Sequence, residues 1–202
     1  LLNPLTAPAV SYIGRGTSVQ FAHAGSDTPH LPAGISNGDI LFTVGYLIND
    51  GSFVLSGGGG GWTDHSLIDT TVNGSSFYLR TWYRFVDGTQ STPTLTVSGG
   101  STSPQTCGHA FTVAYRGINA STPFGTHGTD SFNASQVNIG PIAASSNLPV
   151  TGAAIVLGYR NGPQFTAATN LTGDGVTWVE DFDNDGFAYN GQSFSGAMSH
   201  AI

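Results

Sequence analysis

The sequence predicts an all-β protein, an antiparallel β-sandwich or jelly-roll-like fold with little or no helix. Three observations carry that expectation. First, three stretches read almost alike: Phe42-Thr43-Val44-Gly45-Tyr46, Phe111-Thr112-Val113-Ala114-Tyr115 and Ile155-Val156-Leu157-Gly158-Tyr159. Each alternates large and small side chains, with β-branched and aromatic residues on one phase, as a strand with one crowded and one packed face would. Second, turn-forming residues recur at roughly the 8–12-residue spacing of sandwiches and barrels. Third, no stretch sustains helical periodicity between caps. The three similar stretches are expected to be central strands. Their uneven separation, 69 and then 44 residues, argues against a repeat array.

Residues 1–9 carry two prolines and read as an extended N-terminal arm, followed by a single β-sandwich domain over residues 10–202. Ser11 to Phe21 reads as a first strand, interrupted by Gly14 and Gly16. A loop with Pro29 and Pro32 follows, and the turn residues Asn37-Gly38-Asp39 lead into a strand from Ile40 to Ile48. Phe53 to Leu55 is a short apolar strand, and the run Gly57–Gly61 reads as a flexible loop that lets Trp62 tuck onto the sheet edge. A phosphate-cradling loop would need a following Lys and a helix, and this stretch offers neither.

His65 to Val72 and Phe77 to Val86 flank Asn73-Gly74, a favoured two-residue hairpin turn. The second of these strands puts Phe77, Leu79, Thr81, Tyr83 and Phe85 on one face and Tyr78, Arg80, Trp82 and Arg84 on the other. The second face has two readings: guanidinium–indole stacks on a wet sheet, or an exposed aromatic binding patch of Tyr78 and Trp82 with Trp62. Further strands are expected at Thr94–Ser98, Cys107–Ile118, within Ser131–Ile142, at Ala153–Arg160, near Phe165–Ala168, at Thr177–Phe182 and at Tyr189–Ala197.

Composition removes several function classes. Charged residues are only 8% of the 202, against an ordinary 39% hydrophobic content and 11% aromatics, so the missing charge is replaced by Gly, Ser, Thr and Asn. There is no lysine, and the arginines are Arg15, Arg80, Arg84, Arg116 and Arg160. At net charge −7, binding to nucleic acid or to an anionic membrane is not expected, because both draw on Lys and Arg. The single Cys107 excludes an internal disulfide and a multi-cysteine zinc site, and reads as a small core residue.

Candidate chemistry is sparse. Asp181, Asp183 and Asp185 stand at alternate positions before Gly186, like the first half of a calcium loop. Gln192 occupies the twelfth position, where a helix-flanked loop needs a bidentate Glu. A looser β-loop Ca²⁺ site therefore stands beside the plainer reading of an acidic, solvated hairpin tip, and no other cofactor is expected. The six histidines show no metal-ligand spacing, and His109 reads as a core or edge residue. Asp64-His65 is a possible acid–base pair without a recognisable nucleophile. Glu180 and Asp181 are adjacent on a strand, so alternation would point them to opposite faces and deny a carboxylate pair.

One set of motifs, taken in order, is more specific than any of its members: Pro32-Ala33-Gly34, Gly38-Asp39-Ile40-Leu41, Gly61-Trp62-Thr63, Tyr83-Arg84-Phe85-Val86-Asp87-Gly88, and Ala114-Tyr115-Arg116-Gly117-Ile118 with Pro123. Over roughly residues 8–160 this order resembles a pattern seen in many tailed-bacteriophage and prophage proteins. The resemblance implies a virion structural module with an Ig-like or jelly-roll sandwich, of the kind found among head-decoration, tail and fibre proteins, and it carries over no catalytic residue. The expected function is a non-enzymatic capsid decoration or cement protein. It would bind the outer surface of the shell in many copies, with the major capsid protein and copies of itself as partners, a trimer by analogy with other virion β-proteins. The alternative is a carbohydrate- or receptor-binding module of a tail or fibre, stabilised by calcium. The expected location is the virion surface or, failing that, the extracellular space.

Overall fold

The computed structural model describes residues 9–49, 51–72, 75–102, 106–124, 154–161, 179–182, 187–189 and 192–201. Its strands, in chain order, are β1 (Ser11–Arg15), β2 (Val19–Ala22), β3 (Ser26–Asp27), β4 (Ile40–Ile48), β5 (Ser52–Gly57), β6 (Thr63–Val72), β7 (Ser75–Phe85), β8 (Pro93–Ser98), β9 (Cys107–Arg116), β10 (Ala154–Asn161), β11 (Val179–Phe182), β12 (Phe187–Tyr189) and β13 (Gln192–Ala201). No helix occurs among the described residues, and every strand pairing is antiparallel. The all-β class read from the sequence is the class of the structure.

A six-stranded sheet runs in the order β1-β9-β4-β7-β6, with β2 also paired to β9. A three-stranded sheet has the order β3-β8-β5, and a four-stranded sheet the order β10-β13-β11 with β12 on β13. The alternation of large and small residues explains how the first two pack. On one face of β4 and β9, small residues meet in register, Gly45 opposite Ala110 and Thr43 opposite Thr112, and Leu47 lies opposite Gly108. The two threonine hydroxyls hydrogen-bond at 2.8 Å. The three-stranded sheet settles onto this low surface, bringing Phe53, Leu95 and Val97 against Phe21, Leu47, Tyr78, Trp82 and Ala110.

Gly45 shows how close the approach is. A Cβ there would stand 2.8 Å from Phe53 Cδ2, so the ring occupies the space a side chain would take. Phe53 is fully buried and meets Phe21 edge-on at 4.9 Å between centroids. Burial of a phenylalanine of this kind contributes about 2–3 kcal/mol. The opposite, crowded face gathers Phe42, Val44, Phe111, Val113 and Tyr115, and the turn after β9 lays Ile118 and Phe124 on it. β4 is buried along its whole length because both of its faces are covered.

The structure corrects several element assignments. The predicted strand Ser11–Phe21 is two strands on the same partner, with the register slipping between Tyr12 and Gly14. Between them, a Cβ on Gly16 would lie 1.8 Å from the His30 carbonyl oxygen, so the backbone of the following loop crosses there. That loop contains the two-residue strand β3. Of the three look-alike stretches, those in β4 and β9 are central, but β10 ends the order of a different sheet. The predicted strand Tyr189–Ala197 is two strands, β12 and β13, paired to each other from Tyr189 opposite Gln192. Its intervening Asn190-Gly191 is a dipeptide that favours hairpins.

In β11 the register slips between Glu180 and Phe182, so simple alternation does not apply at Asp181. Residues 1–8 of the expected arm, the turn Asn73-Gly74, the strands expected within 131–142 and 165–168, and Asp183 and Asp185 lie outside the described residues.

Candidate functional site

The ordered motifs of the sequence meet in space as clamps. Asp39, 2% exposed, precedes β4, and Arg116 ends β9, its neighbour in the sheet. Arg116 donates from Nε and Nη2 to the two Asp39 oxygens at 2.8 and 2.9 Å, and the Ser36 N–H adds a third bond at 2.6 Å. Burial works against the charge on Asp39, but the Arg116 guanidinium and the Ser36 N–H outweigh it and hold the carboxyl below its ordinary value. Arg116 also donates to the Gly34 carbonyl at 3.3 Å, so one side chain fastens two of the motifs.

Arg84 is the second clamp. It is 3% exposed, and its Nη1 donates to the carbonyls of Gly58, at 2.7 Å, and Gly60. Its Nη2 donates to Asp87 Oδ1 at 2.9 Å and to Thr89 Oγ1 at 3.2 Å. The glycine loop is therefore pinned from within, which corrects the expectation of a merely flexible linker. All five glycines from Gly57 to Gly61 have left-handed φ angles between 68° and 78°. That run needs glycine. A Cβ on Gly59 would stand 2.1 Å from the Thr89 carbonyl oxygen.

A cleft opens where β5, β6 and β7 come together. It has a volume of about 300 Å³ and is lined by Val54, Leu55, Trp62, Asp64, Arg80 and Trp82. Arg80 sits 5.4 Å from the centre of the Trp82 ring and donates to Asp64 Oδ2 at 2.5 Å and, weakly, to the Phe53 carbonyl at 3.4 Å. The Trp62 Nε1 is buried without a hydrogen-bond partner among the described residues. Trp62 itself is half-buried, so the part it shows to solvent is not its N–H.

A β-bulge creates this arrangement. From Val72 opposite Ser75 the β6–β7 register runs unbroken to Ser66 opposite Thr81, then slips so that Asp64 faces Trp82. Without that slip Asp64 would fall opposite Tyr83 and on the other face of the sheet. The bulged residue, His65, instead stacks on Phe124 at 3.7 Å and meets Tyr83 edge-on at 6.3 Å. Asp64 and His65 thus diverge, the first lining the cleft and the second packing on the opposite face of the sheet.

The expected binding patch is corrected in the same way. Tyr78 and Trp82, 8% and 3% exposed, lie beneath the three-stranded sheet. Alternation had defined their face, but that face is an interior one. Trp62 and Trp82 do share the cleft, whereas Tyr78 does not line it. The partners that sequence reading missed are Asp64, brought in by the bulge, and the Arg80 side chain as its counter-ion. The two-residue turn signal Asn73-Gly74 predicts an unbroken register, and only a bulge at His65 would have revealed the pairing.

Of the candidate calcium residues, Asp181 falls in β11 and the other two lie outside the described residues. Among the described residues no group of three or more His, Cys, Asp or Glu side chains is placed to hold a metal ion. Cys107 and His109 are buried in β9, and burial pushes the Cys107 thiol up to about 12, away from the reactive thiolate. Fold and site together define an all-β protein with two packed antiparallel sheets, internal arginine clamps and an aromatic cleft at a sheet edge among the described residues. Compared with known protein families, curated proteins and solved structures, the chain matches none.

Proposed function

We propose that this chain is a non-enzymatic virion structural protein of a tailed bacteriophage, a capsid decoration or cement protein that coats the outside of the shell in many copies. The observation that carries this reading is the role of the motif residues in the resemblance to phage proteins. Asp39 and Arg116 tie adjacent strand ends, and Arg84 with Asp87 pins the loop that delivers Trp62. Residues doing this work support a module whose task is to keep its shape. The thiol of Cys107 and the phenol of Tyr46 are both pushed upward by burial, which fits packing better than acid–base chemistry. The partners in this reading are the major capsid protein and further copies of the chain.

The test is the stoichiometry of the chain in purified particles, by quantitative mass spectrometry against the major shell protein. A ratio approaching that of the shell protein is expected. A few copies per particle would move the chain to the tail or fibres, and its absence from particles would overturn a virion role.

A further inference from the structure

We infer that the cleft between β5, β6 and β7 is a binding site for a neutral saccharide ring, with Trp62 as the apolar platform and the Asp64–Arg80 pair as the hydrogen-bonding edge. This inference does not rest on the capsid reading.

The volume of the cleft, about 300 Å³, is at the lower end of the range for small-molecule sites, which suits a single ring better than a long chain. Its lining combines apolar and polar groups in the way a sugar requires. A pyranose has a face of C–H groups and a rim of hydroxyls. Trp62 is half-buried with its N–H turned away from solvent, so it offers ring carbons to the first. Val54 extends that apolar wall. It is 51% exposed, one of two large hydrophobic side chains in open contact with solvent among the described residues, and the cleft accounts for its position.

The rim of hydroxyls meets the ion pair. A guanidinium carries five N–H donors, and Asp64, Phe53 and Tyr78 do not take all of those on Arg80. Asp64 binds Arg80 through Oδ2 alone, leaving Oδ1 as an acceptor, and its side chain is 59% exposed. One donor and one acceptor held side by side match two neighbouring hydroxyls, each of which can both donate and accept a hydrogen bond. The Trp82 ring under Arg80 fixes the guanidinium for this task.

The charge balance selects the class. Asp64 neutralises Arg80 within the cleft, and the chain carries −7 overall, so an anionic sugar would have to displace Asp64 and enter against the field of the protein. A neutral ring does neither.

The experiment is a titration of the full chain with glucose, galactose, mannose and N-acetylglucosamine, read by tryptophan fluorescence and calorimetry, with galacturonic acid as the anionic comparison. At least one neutral sugar is expected to saturate with a Kd on the order of millimolar. Asp64→Asn, at an exposed position, should weaken that binding about tenfold, with the melting temperature measured alongside to show that the fold is kept. Trp62→Phe should weaken it further. No saturation by any neutral sugar up to about 100 mM would overturn the site. So would binding that Asp64→Asn leaves intact, and tighter binding of galacturonic acid would overturn the neutral class.

Discussion

At the scale of single residues, the charged groups hold the backbone. Asp39 illustrates how much depends on one of them. Its folded-state carboxyl lies below the ordinary value of 3.8, so its contribution to stability is present above that value and is lost as pH falls through the lower, folded one. Denaturant unfolding followed as a function of pH should therefore show an acid-side loss below about pH 4. Asp39→Asn should remove about 2 kcal/mol at neutral pH and flatten that acid limb, since the charge-assisted bonds from Arg116 and Ser36 weaken together. An Asp39→Asn protein as stable as the parent at pH 7 would show that the clamp contributes no net stability.

At the scale of strands and sheets, the small face of β4 and β9 governs packing. Gly45→Ala would press a methyl group into the Phe53 ring, and overfilling of this kind costs about 1–3 kcal/mol, to be read from the urea midpoint. An unchanged midpoint would mean that the three-stranded sheet is free to shift. This face was legible in the sequence because Thr43, Gly45, Ala110 and Thr112 share one phase of strong alternation. The strands β4, β7 and β9 were legible for the same reason. What alternation cannot say is which face a second sheet covers, and so Tyr78 and Trp82 read as exposed although they are interior. Nor can it register a single extra residue, which is why the bulge at His65 and the Asp64–Arg80 pair were hidden. β3 is too short to show a period, and the β12–β13 hairpin went unread because Asn190-Gly191 lies inside what looked like one strand and its lead-in. The Asp39–Arg116 clamp joins residues 77 apart in the chain, a proximity that only the β4–β9 pairing creates.

At the scale of the whole molecule, a chain with 8% charged residues directs several of its few charges inward. Arg84 and Arg116 each bind main-chain carbonyls as well as carboxylates, so they serve the fold as cross-braces between loops. The chain as a whole is sparse in charge and rich in glycine and hydroxyl side chains, a composition that suits association by shape more than by charge, in keeping with the proposed coat on a shell. In the cleft, a partly exposed cationic side chain, Arg80, stands beside two indoles.

The arginine clamps have a consequence for survival among digestive enzymes. Trypsin cuts only after lysine or arginine, and this chain offers five such bonds. Arg84 is buried within β7, and Arg116 keeps its guanidinium in the grip of Asp39, so neither can enter the specificity pocket of a protease while the fold stands. Limited digestion of the native protein should leave the bonds after Arg84 and Arg116 whole, while Asp39→Asn should expose the second to cleavage, as a mass-mapped time course would reveal. The contacts that brace the loops would then also shield two of the five bonds at which trypsin could cut the chain.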